Sequence, residues 1–96
     1  MLRRGRAAHT RQLSVHLLPG DGHVRTTVVA GRAVGNAVAR NRAKRRVRAA
    51  LRELSLPSSA DVVVVARPQL AGLTHDELVD ALAVQVRRAA RPVVPR

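Results

Sequence analysis

Val34-Gly35-Asn36-Ala37-Val38-Ala39-Arg40-Asn41-Arg42-Ala43-Lys44-Arg45-Arg46-Val47-Arg48 holds six cations, two asparagines and no acidic residue. Small and branched apolar residues recur inside it at helical spacing, so it reads as one side of a folded helix and not as a basic tail. The helix is expected from about Asn36 to Leu54. Asn36 is its cap, because a cap side chain accepts from first-turn N–H groups that have no partner in the helix. At about 100° per residue, Ala43, Val47, Ala50, Leu51 and Leu54 share one face. Asn41, Lys44, Arg45, Arg48 and Arg52 share a neighbouring stripe. Arg42 and Arg46 fall on the far side, near Glu53. Arg40 projects close to the apolar azimuth but before the core residues begin, so its stem is expected to pack at the core edge. An ordinary solvated face would intersperse Glu at i,i+4 spacing, and this helix offers only Glu53. The pattern is a device for holding polyphosphate, with RNA the expected polyanion.

The rest of the composition agrees. Ninety-six residues make one small domain with a single core. Eighteen Lys and Arg against six Asp and Glu leave a formal net charge of +12. Such a charge repels itself, and a polyanionic partner relieves the repulsion. No stretch approaches the roughly 20 apolar residues of a spanning helix, and no signal-peptide pattern opens the chain. A membrane is therefore not an expected partner. The chain has no cysteine, which excludes disulfides and thiolate metal sites and fits a reducing, cytoplasmic location. It also has no Phe, Tyr or Trp. The core must be built from Leu, Val and Ala, and unpaired bases can stack only on His or on Arg planes.

Outward from the helix, residues 1–11 read as a basic arm without apolar periodicity. Gln12 to Leu18 alternates, with Leu13, Val15 and Leu17 on one face, and reads as a half-buried strand. Pro19-Gly20-Asp21-Gly22 is a turn cluster. Val24 to Ala30 reads as a second strand, paired antiparallel with the first across that turn. Pro57-Ser58-Ser59 ends the helix. Asp61 to Ala66 is an unbroken β-branched run, expected as a strand buried on both faces. Thr74-His75-Asp76-Glu77 is a capping box, and the helix it opens places Leu78, Leu82, Val86 and Ala89 on one face. Arg91 to Arg96 is a frayed tail. No domain boundary interrupts residues 1–96.

With that order of elements in place, Val34-Gly35-Asn36-Ala37, Arg40-Asn41-Arg42, Lys44-Arg45 and Arg48 together resemble the signature of the bacterial ribonuclease P protein component. Asp61 to Pro68 is similar to that family's last strand, and the resemblance extends through the helix from Leu73 to Ala89. It implies an α+β fold, a small sandwich with a mostly four-stranded sheet and flanking helices (ribosomal protein S5 domain 2-like). It also implies a left-handed β-α-β crossover through the basic helix, against the general preference for right-handed connections. By the same resemblance the function is that of the protein subunit of ribonuclease P. That subunit binds the catalytic RNA and contacts the 5′ leader of precursor tRNA in a cleft across the sheet. The holoenzyme is an endoribonuclease whose RNA does the chemistry with magnesium. No cofactor is expected on the protein itself, and no small-molecule substrate.

Family members typically carry a further N-terminal helix with basic and aromatic residues, and this chain begins about where that helix ends, so the helix is expected to be missing. His16 stands where the family often has Tyr on the cleft-facing strand, and is the candidate leader contact. Gly31-Arg32-Ala33 replaces a usual Ser-Lys-Lys.

The candidate RNA-binding residues are Arg32, Asn36, Arg40, Asn41, Arg42, Lys44, Arg45, Arg48 and Arg52. Arg40 and Arg42 suit bidentate phosphate contacts. Capping competes for Asn36, and a structural fork onto carbonyls competes for Arg40. His9, His16, His23 and His75 share no metal-ligand spacing. Asp76, Glu77 and Asp80 are accounted for by capping and by the helix dipole. No nucleophile–base constellation is visible, so no catalytic or metal residue is expected. The alternative reading is a non-catalytic structural RNA-binding protein, such as a ribosomal accessory protein or an inactive paralogue. A DNA-binding module is weaker, since no helix-turn-helix pairing precedes the basic helix.

Overall fold

Three short β-branched or alternating segments, one strand without either pattern and two amphipathic helices give the element order. The computed structural model describes residues 6–19, 25–56 and 60–90. They form β1 (Arg6–His9), β2 (Leu13–Pro19), β3 (Arg25–Ala30), α1 (Ala37–Leu51), β4 (Ala60–Ala66) and α2 (His75–Ala90). Short 3-10 turns at Arg32–Val34 and Pro68–Gly72 precede α1 and α2. The expected turn residues Gly20 to Gly22, the Pro57-Ser58-Ser59 stop and the tail from Arg91 lie outside the described residues.

The sheet has four strands in the order β1-β2-β4-β3. β4 is antiparallel to β2 and parallel to β3, with Val64 opposite Val15 on one side and Val28 on the other. The expected pairing of the second and third strands is thereby corrected: they run in opposite directions, but β4 lies between them. The physical reason is composition. The Val62–Val65 run is the most apolar of the four and takes one of the two interior positions, where both edges of its backbone are hydrogen-bonded. β3–α1–β4 is the expected crossover unit joining adjacent parallel strands.

Residues 6–9 correct a second expectation. They lie in no irregular arm but form edge strand β1, in antiparallel register with β2 from Arg6↔Leu17 to His9↔Ser14. Thr10 makes the bend. Its Oγ1 accepts from the N–H groups of Gln12 and Leu13, each at 3.2 Å, and its N–H donates to the Leu13 carbonyl at 2.8 Å. A hydroxyl thus does locally what Gly or Pro does in a more conspicuous turn.

Both helices cover the same face of the sheet, α1 over β3 and β4 and α2 over β1 and β2. That corrects the expectation that β4 is buried on both sides. Val62, Val64 and Ala66 are buried, whereas Asp61, Val63 and Val65 on the opposite face are half-buried. Leu18 and Val29 on that open face are 41% and 43% exposed. The buried hydrophobic core among the described residues is entirely Leu, Val and Ala, as the missing aromatics require. Gln85 is a buried polar residue that periodicity did not anticipate, and its Oε1 has no hydrogen-bond partner among the described residues. At the start of α2 the capping box forms as expected. Thr74 Oγ1 accepts from the Glu77 N–H at 3.1 Å, and Glu77 Oε1 accepts from the Thr74 N–H at 2.8 Å.

α1 is held by packing and not by its own charges. Its like-charged i,i+4 neighbours, Arg40–Lys44, Arg42–Arg46 and Lys44–Arg48, each cost roughly 0.2–0.5 kcal/mol. Burying Val47 and Leu51 contributes about 1.5–3 kcal/mol apiece, and Ala43 and Ala50 are buried beside them. Packing wins. The approach to the helix is set by two residues. Gly35 sits at φ 134°, ψ −154°, a region open essentially to glycine alone. Asn36 then caps the helix, its Oδ1 accepting from the Ala39 N–H at 3.0 Å.

Gly35→Ala is therefore expected to destabilise the fold. The new Cβ would sit 3.0 Å from the Ala39 Cβ, in a backbone conformation that costs about 1–3 kcal/mol for other residues. A urea midpoint lowered at unchanged m-value checks this; an unchanged midpoint contradicts it.

Candidate nucleic-acid interface

Because Ala43, Val47, Ala50 and Leu51 face the sheet, the remaining circumference of α1 is left to its cations. Val38, Asn41, Lys44, Arg45 and Arg48 line one shallow groove of about 460 Å³ along the outer side of the helix. Arg45 and Arg48 are exposed and Lys44 is half-buried. The structure thus brings together four of the five stripe residues on one surface. The fifth, Arg52, follows the last residue of the helix. With Arg48 it borders an adjoining recess floored by Leu51 and Leu56 and reaching Thr26 of β3. Val38 is 64% exposed amid these cations, and offers an apolar contact to a sugar or base lying in the groove.

Other candidates are placed differently. Arg40 is half-buried, as its azimuth implied. Asn36 Oδ1 is committed to the cap. Arg32 is exposed in its 3-10 turn and lines none of these recesses. Arg42 is exposed on the other flank of α1, beside a small cavity it shares with Arg46 and Arg67. His16 is half-buried on the open face of the sheet, in register with Val63 and through it with Thr27. It is therefore separated from the stripe by the full thickness of the sheet. Two surfaces exist, one on the outer side of α1 and one on the open sheet.

Two arginines have roles the sequence reading missed. Arg46, on the Glu53 side of the helix, is a fork onto backbone. Its Nη1 donates to the Leu70 carbonyl at 3.2 Å, and its Nη2 donates to the Leu73 carbonyl. Glu53 instead meets His75 Nε2, an exposed contact between the end of α1 and the start of α2. Arg67 follows β4, and its Nη2 donates to Ser14 Oγ at 2.8 Å, beside which Ser14 is buried. The available signal for Arg46 was its azimuth, which borders the core on the flank away from the stripe.

Chemically, the α1 surface is a rigid row of guanidinium and ammonium groups with no carboxylate of its own helix among them, suited to phosphate oxygens. The described residues contain no group of three or more His, Asp or Glu that could hold a metal ion, and no helix long and apolar enough to cross a membrane.

The comparisons with known proteins point one way. The family model for Ribonuclease P matches residues 1–90. The chain belongs to the ribonuclease P protein family. The ribonuclease P protein component of Lactiplantibacillus plantarum is 44% identical over 71 residues, covering 70% of this chain and 62% of that protein. The ribonuclease P protein component of a Nocardioides species is 48% identical over 83 residues, covering 80% of this chain and 71% of that protein. This chain therefore spans less than two thirds of the first relative's length and somewhat more of the second's. Among solved structures, the ribonuclease P protein of Staphylococcus aureus superposes with a TM-score of 0.76 at 26% identity, over 90% of this chain and 82% of that one. The fold of that ribonuclease P protein is thus shared.

Arg46→Met keeps most of the stem while removing the fork. Stability is expected to fall by about 1–3 kcal/mol, the scale of lost charged hydrogen bonds to part-buried carbonyls. Thermal unfolding measures the loss, and a variant as stable as the parent would show the fork to be dispensable.

Proposed function

We propose that this chain is the protein subunit of ribonuclease P, which docks on the catalytic RNA through the outer side of α1 and promotes removal of the 5′ leader from precursor tRNA. The observation that carries the proposal is the groove of Asn41, Lys44, Arg45 and Arg48 on a firmly packed helix, in a chain of this family. A helix whose inner face is locked into an aliphatic core presents its cations without having to order them on binding. The entropy cost of binding falls accordingly.

The RNA carries the magnesium and performs the cleavage. The protein's part is electrostatic and geometric. Arg45 and Arg48 neutralise phosphates, Lys44 and Arg52 extend the row, and Asn41 adds hydrogen bonding within it. Arg40 and Arg42 flank Asn41 in the chain, and their planar guanidinium groups suit paired contacts to phosphate oxygens. On the far side of the sheet, His16 with Val63 and Thr27 forms the surface for the single-stranded leader, the imidazole serving as the stacking plane. The site of action is the cytoplasm.

Replacing Arg45 and Arg48 together with Gln is expected to weaken binding to the cognate ribonuclease P RNA. It should also flatten the log–log salt dependence by about 1.5, since each phosphate contact contributes roughly 0.7–0.9. Affinity unchanged across several salt concentrations would sink the docking surface. Adding the chain to that RNA and precursor tRNA at low magnesium separates the readings. Stimulated 5′ maturation supports the subunit, and RNA binding without stimulation supports a structural RNA-binding protein. His16→Ala is expected to raise the KM for a precursor with a long leader and leave RNA assembly unchanged. Equal KM values for the two proteins would remove His16 from the leader surface.

A further inference from the structure

The groove on the outer side of α1 leaves one feature of the helix unused. On its other flank, from Arg42 at about 60° to Ala43 at about 160° round the helix from Arg45, a cavity of about 100 Å³ opens between α1 and the Pro68–Gly72 turn. Its apolar walls are Val34, Ala39 and Ala43 on one side and Pro68, Leu70 and Ala71 on the other. The charged residues lining it are Arg42, Arg46 and Arg67, and no carboxylate lines it. It is far smaller than the roughly 300–1,000 Å³ of sites for drug-sized ligands, so a single ring system is what it suits.

We propose that this cavity receives one unpaired nucleobase of the RNA partner, with an adjoining phosphate on Arg42.

Three observations support that occupant, and the inference rests on the RNA-binding reading above. The first is preorganisation. Ala43 and Leu70 are buried at the base of the cavity. Arg46 ties the turn to the helix through the Leu70 and Leu73 carbonyls, so the spacing between the two walls is held before anything binds. The second is stacking chemistry. With no aromatic residue in the chain, a base leaving its own stack must find another plane, and guanidinium groups supply one. Arg42 stands exposed in the lining and supplies that plane, whereas the Arg67 guanidinium is turned away to Ser14 Oγ. The third is charge. An apolar pocket bordered by cations alone favours a flat apolar face that brings its own negative charge, which is how an extruded nucleotide presents itself. An apolar side chain from a protein partner would bring no charge to balance Arg42.

The consequence is a division between the flanks of α1. Phosphates along the outer groove supply affinity that any RNA could draw on, whereas the cavity selects an RNA with an unpaired residue at the right distance. The test uses the full chain with its cognate ribonuclease P RNA and two substitutions at exposed Ala71. Ala71→Leu fills the mouth without changing charge, and Ala71→Ser leaves the volume nearly as it is. Thermal unfolding of both is expected to match the parent. Ala71→Leu is expected to bind the RNA about tenfold more weakly, the scale of one lost stacking contact, at an unchanged salt slope. Ala71→Ser is expected to bind as the parent does. 2-Aminopurine placed in turn at each unpaired position should reveal one whose fluorescence changes on binding the parent and not on binding Ala71→Leu. Equal affinity of Ala71→Leu and the parent overturns the inference and leaves the docking proposal standing, as does a fluorescence response common to both proteins. Failure of the parent itself to bind the RNA overturns the docking proposal and this inference with it.

Discussion

Everything on the surface of this protein follows from one packing constraint: a helix dense in cations has a single aliphatic stripe with which to attach itself. Ala43, Val47, Ala50 and Leu51 fill that stripe, and the sheet they meet is equally aliphatic. Once that face is inside, the azimuth of each charged residue is decided. Arg45 and Arg48 point to solvent, Arg40 and Lys44 are held partway in, and Arg46 is carried against the neighbouring turn. There it is satisfied by carbonyls instead of by a ligand. Six cations of similar chemistry thus acquire different duties from their distance to the core.

The elements themselves were legible from periodicity. The basic helix, its Asn36 cap, the Thr74–Glu77 capping box and the aliphatic core all follow from local chemistry that a chain carries wherever it is placed. The partners of the strands were not legible. Pairing β2 with β3 was the natural inference from their closeness in the chain, but adjacency in a sheet depends on which strand most needs two neighbours. β4 met that requirement from far along the sequence. β1 escaped notice because its bend is made by a threonine hydroxyl, without the Gly or Pro that announces a turn. At the site, the helical wheel recovered the groove of Asn41, Lys44, Arg45 and Arg48 and the half-buried Arg40. It could not recover the Arg46 fork or the Arg67–Ser14 bond. Those depend on groups contributed by other elements, and a wheel contains no other elements.

The two surfaces are back to back. The groove along α1 lies on the helical layer, while His16, Val63 and Thr27 lie on the open sheet, so a nucleic acid touching both must pass round an edge of the domain. The sheet and the helix packed on it fix the distance between whatever the two surfaces hold. That separation is set by the fold, with no moving part. Arg67 is placed to matter in this respect. It leaves β4 beside the α1 cavity and turns its guanidinium to Ser14 on the sheet, so it touches both territories.

The central position of β4 also has a bearing on how the molecule comes into being. Its neighbours β2 and β3 are synthesised earlier, and β3 has no ladder to join until it arrives. The basic helix must be threaded between β3 and β4 in the chain. Contacts so distant in sequence form slowly, and the nascent chain carries most of its positive charge before the strand that completes the sheet has emerged. The repulsion among those cations is therefore already in place when β4 arrives to close the sheet.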